Sequence, residues 1–261
     1  MRKYQKSVII AFAVDKGGTG KTTTVVNTSA GLAQEGYKVL AVDVDQQANL
    51  TNTFLSEPPS RSLYDSIDNE SVPLPVVEVS KNLNLVPASE KMYGISAFMI
   101  ARSLRDEYDY HRVLSRLLDQ IRENYDFVLI DCPPSDNIMT FNALFAADTV
   151  VIVTKPEEYA MAGCHKMCEI IRSVRKQNHP LGLAGVLFCD VDLYSRGHLN
   201  AIKSIREMGP EHVFRGLIRH SRYLYNAIQA HKDIFSFAPN TNGEKDYKAF
   251  CLELLNKIKR K

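Results

Sequence analysis

The chain has 261 residues, 45% hydrophobic and 24% charged, with a formal net charge of +2; that is enough for one large α/β domain or two small ones with an ordinary globular core. No apolar run reaches the eighteen residues a membrane-spanning helix needs, so no transmembrane helix is expected. The five cysteines are odd in number, scattered and free of any C-x-x-C pair, which suggests neither a disulfide framework nor a zinc site and fits a reducing cytoplasm.

In chain order, the first element is a strand, "SVIIAFAV". Basic residues before it give a superficial look of a signal peptide, but the run is short, rich in β-branched residues and leads straight into "DKGGTGKTTT". A strand, a glycine-rich turn and a helix in succession form the context in which a phosphate-binding loop is meaningful. Gly17, Gly18 and Gly20 allow backbone N–H groups to approach phosphate oxygens. Lys21 is placed for the β- and γ-phosphates and the Thr22 hydroxyl for Mg²⁺. Two features are unusual: Asp15 stands where the opening glycine of the loop belongs, and Lys16 adds a second cation. The helix "KTTTVVNTSAGLAQEG" follows and stops at Gly36, a C-terminal cap.

"KVLAVDVD" is the next strand and ends in Asp43 and Asp45, whose spacing by two puts both carboxylates on one side. Residues 56–82, with four prolines, read as an irregular surface excursion. "LNLVPAS", "DFVLIDC", "TVVIVTK", "LGLAGVLFCDV" and "HVFRGLI" read as further strands, several continuously apolar as if covered on both faces. "YHRVLSRLLDQIREN", "MAGCHKMCEIIRSVRKQN" and "DYKAFCLELLNKIKRK" have helical spacing. Such alternation predicts an α/β fold, one P-loop NTPase domain over 1–261 whose mainly parallel sheet is flanked by helices on both faces. Asp131, closing an apolar strand, has the character of a second metal-site carboxylate. Between Arg196 and Lys232 lie seven Lys/Arg against two Glu and no Asp, together with four of the seven histidines; this concentration suggests an anionic partner.

"KGGTGKTT", "VDVDQQANLT" and "DFVLIDCPPS" resemble the deviant Walker motifs of the ParA/MinD superfamily of ATPases. "FNALFAADTVVIVTKPEEYAMAG" and "GEKDYKAFCLEL" are similar to the ParA/Soj branch, and the likeness spans nearly the whole chain. The resemblance implies ATP and Mg²⁺ as ligands, with the phosphates held by Lys16, Gly17, Gly18, Thr19, Gly20, Lys21, Thr22 and Thr23. It implies that Lys16 is the signature lysine, crossing the interface of an ATP-bound homodimer to the partner's nucleotide. In that scheme Lys16, Lys21 and Asp45 serve hydrolysis, Asp45 orienting the attacking water, while Thr22, Asp43 and Asp131 serve the metal. This chain departs from the common pattern at Val14-Asp15, at Gln46 (often proline), at Ala48 (often glycine) and at Cys189, near the adenine, where Thr or Asn is usual.

The function implied is a slow, dimerising ATPase switch of a DNA partition or cargo-positioning system. It would bind double-stranded DNA non-specifically in the ATP state and be released when a ParB-type centromere-binding protein stimulates hydrolysis. Lys203, Arg206, Arg215, Arg219, Arg222 and Lys232 are the candidate DNA contacts. The expected location is the cytoplasm, on the nucleoid. No helix-turn-helix extension is expected before the ATPase core. The alternative is a MinD-like membrane switch, which would use Leu252, Leu255 and Ile258 of a basic C-terminal helix on a lipid surface. A nitrogenase-type electron-transfer ATPase is rejected, because Cys132 reads as a core thiol rather than a cluster ligand.

Overall fold

Alternate residues of the first strand, β1 (Val8–Ala13), point into different hydrophobic clusters, Ile9, Ala11 and Ala13 into one and Ile10 and Phe12 into the other. The same division recurs in the strand that ends in Asp131, where Val128 and Ile130 face one way and Phe127 and Leu129 the other. A strand with both faces apolar is stable only between two layers, so helices must cover the sheet on both sides. The computed structural model describes residues 7–14, 16–104, 108–134, 137–177, 180–207 and 209–259; the basic N-terminal residues, Asp15, Ser135 of the "DCPPS" motif and the last two cations lie outside the described residues.

In chain order, β1 is followed by α1 (Lys21–Gln34), β2 (Val39–Asp43), α2 (Asn49–Phe54), α3 (Leu63–Asp68), β3 (Val77–Ser80), β4 (Leu83–Val86), α4 (Ile95–Ser103) and α5 (Val113–Asp119). Then come β5 (Phe127–Asp131), α6 (Ile138–Ala146), β6 (Thr149–Thr154), α7 (Ala160–Lys176), β7 (Gly182–Phe188), α8 (Arg196–Glu207), α9 (Arg222–Gln229), α10 (Ile234–Phe237) and α11 (Asn242–Lys259). The sheet order is β3-β4-β2-β5-β1-β6-β7, parallel except for the β3–β4 hairpin at one edge. Apolar side chains of α1, α2, α9, α10 and α11 fill one face and those of α3 to α8 the other. β1 lies between β5 and β6, so the chain leaves its carboxyl end at the switch point where α/β sheets bind ligands.

The α/β architecture expected from the sequence is therefore present, and two local expectations need correction. "HVFRGLI" is not a strand. It lies beside β7, with Phe214 N–H donating to Val186 O at 3.0 Å and Ile218 N–H to Phe188 O at 2.8 Å. Between those points the N–H groups of Arg215 and Gly216 turn instead to the Glu253 carboxylate on α11, at 2.9 and 3.0 Å, and the ladder is broken. The proline-rich excursion is also more ordered than its composition suggested. It contains α3, whose Ser62 N–H donates to Asp65 at 2.8 Å as in a capping box, and the edge strand β3.

Among the described residues, no helix is long and apolar enough to cross a membrane. Leu254 and Leu255 of α11 are buried and Ile258 packs against the same cluster as α1. The apolar side of this helix is thus largely committed to the core, leaving Leu252 as its exposed large apolar residue.

Candidate active site

The glycine loop bridges β1 and α1. Gly18 and Gly20 have φ of +75° and +90°, a left-handed conformation that side chains disfavour, and a Cβ on Gly20 would also lie 3.3 Å from the Cβ of Cys189. At Gly17 and Gly18 nothing stands within 4 Å of where a Cβ would be, so the outer side of the loop is open. Thr24 N–H donates to Gly20 O at 2.9 Å and begins α1, whose N-terminal N–H groups and dipole favour an anion at this spot.

The two lysines of the loop have opposite environments. Lys21 is 7% exposed, and its Nζ donates to Asp131 Oδ1 at 3.3 Å. Burial alone would depress its pKa; the charges of Asp131 and Asp45 outweigh that and raise it. Lys16 has a 63% exposed side chain and pairs with Glu157 on the β6–α7 loop at 3.0 Å. An exposed pair of this kind contributes at most about 1 kcal/mol, so Lys16 can exchange Glu157 for another anion.

Asp131 on β5 and Asp45 in the turn after β2 both act on Lys21, and Asp43 at the end of β2 sits beside Asp131. Asp43 and Asp131 are register partners on adjacent strands, both fully buried. Asp43 accepts the N–H of Asp45 at 3.1 Å, the N–H of Thr51 at 2.8 Å and the Thr51 hydroxyl at 2.7 Å. Its oxygens are thus occupied by the turn it braces, which makes it a buttress rather than an open ligand. Asp45, 4% exposed, accepts the N–H of Gln47 at 3.0 Å and its carbonyl accepts that of Ala48 at 3.0 Å. Ala48, the residue where glycine is common, is held at φ +50°. Asp131 differs from Asp43: its Oδ2 is buried and has no hydrogen-bond partner.

Burial raises the pKa of Asp131, with Lys21 and the Thr22 hydroxyl opposing and Asp45 adding to the shift. Burial and the Asp131 charge push Asp43 up to about 7, against the hydrogen bonds from Thr51 and Asp45. The folded state then holds a proton on Asp43 between the unfolded carboxyl value, about 4, and about 7. Stability must fall as pH rises through that window, because the unfolded chain has already released this proton. We expect thermal melts of the nucleotide-free chain between pH 5 and 7.5 to show this decline, and Asp43→Asn to flatten it by up to about 1.4 kcal/mol per pH unit. Equal slopes for the two proteins would contradict the assignment.

A magnesium–nucleotide complex fits these residues. The orphaned Asp131 oxygen, the adjacent Thr22 hydroxyl and the open glycine loop are the donor set expected for Mg²⁺ held by one carboxylate, a hydroxyl and phosphate oxygens. Thr19 Oγ1 is likewise buried without a partner. Among the described residues no cluster of three or more His, Cys, Asp or Glu forms a separate metal cage. Cys132 is fully buried and burial raises its thiol pKa, and Cys189, 3% exposed, packs behind Gly20.

The six cations singled out on the basic segment separate into two groups. Arg219 is clamped to Asp246 on α11 through Nη2 at 2.6 Å and Nε at 2.9 Å, while its backbone N–H reaches the same carboxylate at 3.0 Å. Arg206 donates to the carbonyls of Phe214 and Arg215 at 3.3 and 3.1 Å. Both are spent on internal structure. Arg215, Arg222, Lys203 and Lys232 remain exposed, Lys203 sharing a loose 3.7 Å pair with Glu207. Lys232 rims a cavity of about 600 Å³ with Lys81 and His231, away from the phosphate loop. Glu157, Thr24, Thr51 and Tyr247 support the site and were not singled out from sequence; nothing in their local spacing marks them.

A family model described as an AAA domain matches residues 7–182. The chain is 32% identical over 244 residues to the sporulation initiation inhibitor protein Soj of Bacillus subtilis (strain 168), covering 92% of this chain and 94% of that protein. It is 30% identical over 259 residues to the chromosome partitioning protein ParA of Caulobacter vibrioides, covering 95% and 94%. Among solved structures, cobyrinic acid a,c-diamide synthase from Mycobacterium smegmatis with bound ADP and magnesium superposes with a TM-score of 0.83 at 26% identity, covering 97% of this chain and 96% of the other.

Proposed function

The chain belongs to the ParA/Soj family of partition ATPases, and on that premise we propose that it is a Mg²⁺-dependent ATPase switch whose ATP-bound dimer binds DNA. The observation that carries this reading is the division between the lysines, one inside the cradle on Asp131 and one outside it. Lys21 and the loop amides of Gly17 to Thr23 hold the phosphates of the chain's own nucleotide. Thr22 and Asp131 hold Mg²⁺, which when bound offsets phosphate charge. Lys16 leaves Glu157 for the nucleotide of a second copy, where a cation from each side offsets the repulsion of two phosphate chains brought together. Asp45, fixed by the turn that Asp43 braces, orients and accepts a proton from the attacking water. Positioning and electrostatics carry the reaction without a covalent intermediate.

The output surface is the exposed part of the basic segment, Lys203, Arg215, Arg222 and Lys232. Dimerisation doubles these cations, and affinity for duplex DNA rises steeply with each phosphate neutralised. A ParB-type protein is the partner that would stimulate hydrolysis and return the chain to its monomeric, DNA-free state. The packing of α11 on the core favours this reading over a membrane switch.

Light scattering of the purified chain with ATP or ADP and Mg²⁺ tests the switch. Wild type should double in mass with ATP alone, and Lys16→Ala should bind ATP yet remain monomeric. A Lys16→Ala chain that dimerises like wild type would refute the role given to this lysine.

A further inference from the structure

We infer that Tyr247, on the C-terminal helix α11, is a positioning residue for the phosphate loop, acting through Thr24 on Gly20. The inference rests on the reading of that loop as the nucleotide site. Gly20 is the residue at which the loop passes into α1, and its carbonyl accepts both the N–H and the hydroxyl of Thr24, at 2.9 and 2.8 Å. A hydroxyl has one proton to donate and two lone pairs. With the Thr24 proton committed to Gly20, the Tyr247 hydroxyl at 3.2 Å must donate to Thr24 Oγ1, and the Cys189 thiol at 3.5 Å takes the second lone pair. Thr24 is thereby saturated, and its rotamer is fixed by a side chain 223 residues away in sequence.

The donors keep their protons. Tyr247 is 1% exposed and burial raises its pKa well above the usual phenol value; burial pushes Cys189 up to about 12. Beside it, Asn27 Nδ2 donates to Thr23 O and Asn27 Oδ1 accepts Ile234 N–H, both at 2.7 Å. The first turn of α1, the residue after β7 and α11 therefore meet in one buried polar network at Thr24, and the neighbouring Asn27 ties α1 to the start of α10. Such a network orders the groups it joins when every member is satisfied. Packing alone would accept phenylalanine at position 247, so the hydroxyl is the informative part. Neighbouring Asp246 serves the same helix differently, holding Arg219.

The test is equilibrium binding of a fluorescent ATP analogue with Mg²⁺ to wild type, Tyr247→Phe, Thr24→Val, the double variant and Asp246→Asn, each first checked by thermal melting. Loss of one buried hydrogen bond corresponds to about a fivefold weaker Kd for Tyr247→Phe. The double variant should bind no more weakly than Thr24→Val, because both changes break one chain of bonds. Asp246→Asn should melt earlier yet keep its nucleotide affinity within about twofold. In turnover, Tyr247→Phe should raise KM with kcat nearly unchanged. Wild-type affinity in Tyr247→Phe, strict additivity in the double variant, or equal weakening by Asp246→Asn would overturn the inference. If wild type itself bound no nucleotide, the reading of the loop would fail first and the inference with it.

Discussion

Replacing Lys21 with alanine is expected to abolish measurable ATPase activity, a loss of roughly 10³-fold or more, and to destabilise the nucleotide-free chain by about 3 kcal/mol near neutral pH. The reason for the second effect is in the surroundings. Asp131 and Asp43 are fully buried register partners, and Lys21 is the buried cation that hydrogen-bonds Asp131. Without the ammonium, two carboxylates are left in a low-dielectric site, and Asp131 must retain a proton to remain folded. The raised Asp131 pKa is then raised further. The variant should therefore regain stability as pH falls towards the unfolded carboxyl value, and more steeply than wild type. Chemical denaturation at pH 5.5 and 7.5 reads this directly. A Lys21→Ala chain as stable as wild type at both values would mean that the buried charges are compensated elsewhere.

Asp45→Ala should separate binding from hydrolysis. Asp45 makes no direct bond to Lys21; its contacts are to the N–H groups of Gln47 and Ala48 and, through its own N–H, to Asp43. Its charge acts unfavourably on Asp131, so removing it takes one negative charge from a pocket meant for phosphates. Affinity for Mg²⁺-ATP should hold within a few-fold, whereas kcat should fall by about 10²-fold or more with the loss of a positioned base. Single-turnover kinetics with labelled ATP distinguishes the two. Weakened binding with unchanged turnover would place Asp45 in the cradle instead of the reaction.

How much of this could be read in the sequence depends on the range of the interactions. The strands were legible because β1, β2, β5 and β6 are apolar on both faces, and the candidate site was legible because its glycines and Lys21 lie in the loop and helix start after β1, and Asp43, Asp45 and Asp131 at or just past strand ends, all within recognisable motifs. The basic segment was not, because its conformation is set from α11. Glu253 takes the N–H groups that would have made a strand at Arg215 and Gly216, and Asp246 takes Arg219, one of the six candidate DNA contacts. Such contacts leave no local period. The same holds for Tyr247, whose spacing in α11 reads as core and whose hydroxyl alone gives it a further role. Residues 56–82 show the reverse case, since prolines concealed a capping box at Ser62 and Asp65 that was there to be read.

The most direct test of the switch is binding of random-sequence duplex DNA at fixed moderate salt, with ATP, ADP or no nucleotide, using the Asp45→Ala chain to hold the ATP state. DNA binding should require ATP, weaken in Arg222→Ala and be lost in Lys16→Ala. A chain that dimerises with ATP yet binds DNA no better than with ADP would contradict the proposed output and leave an ATPase switch acting on a different partner.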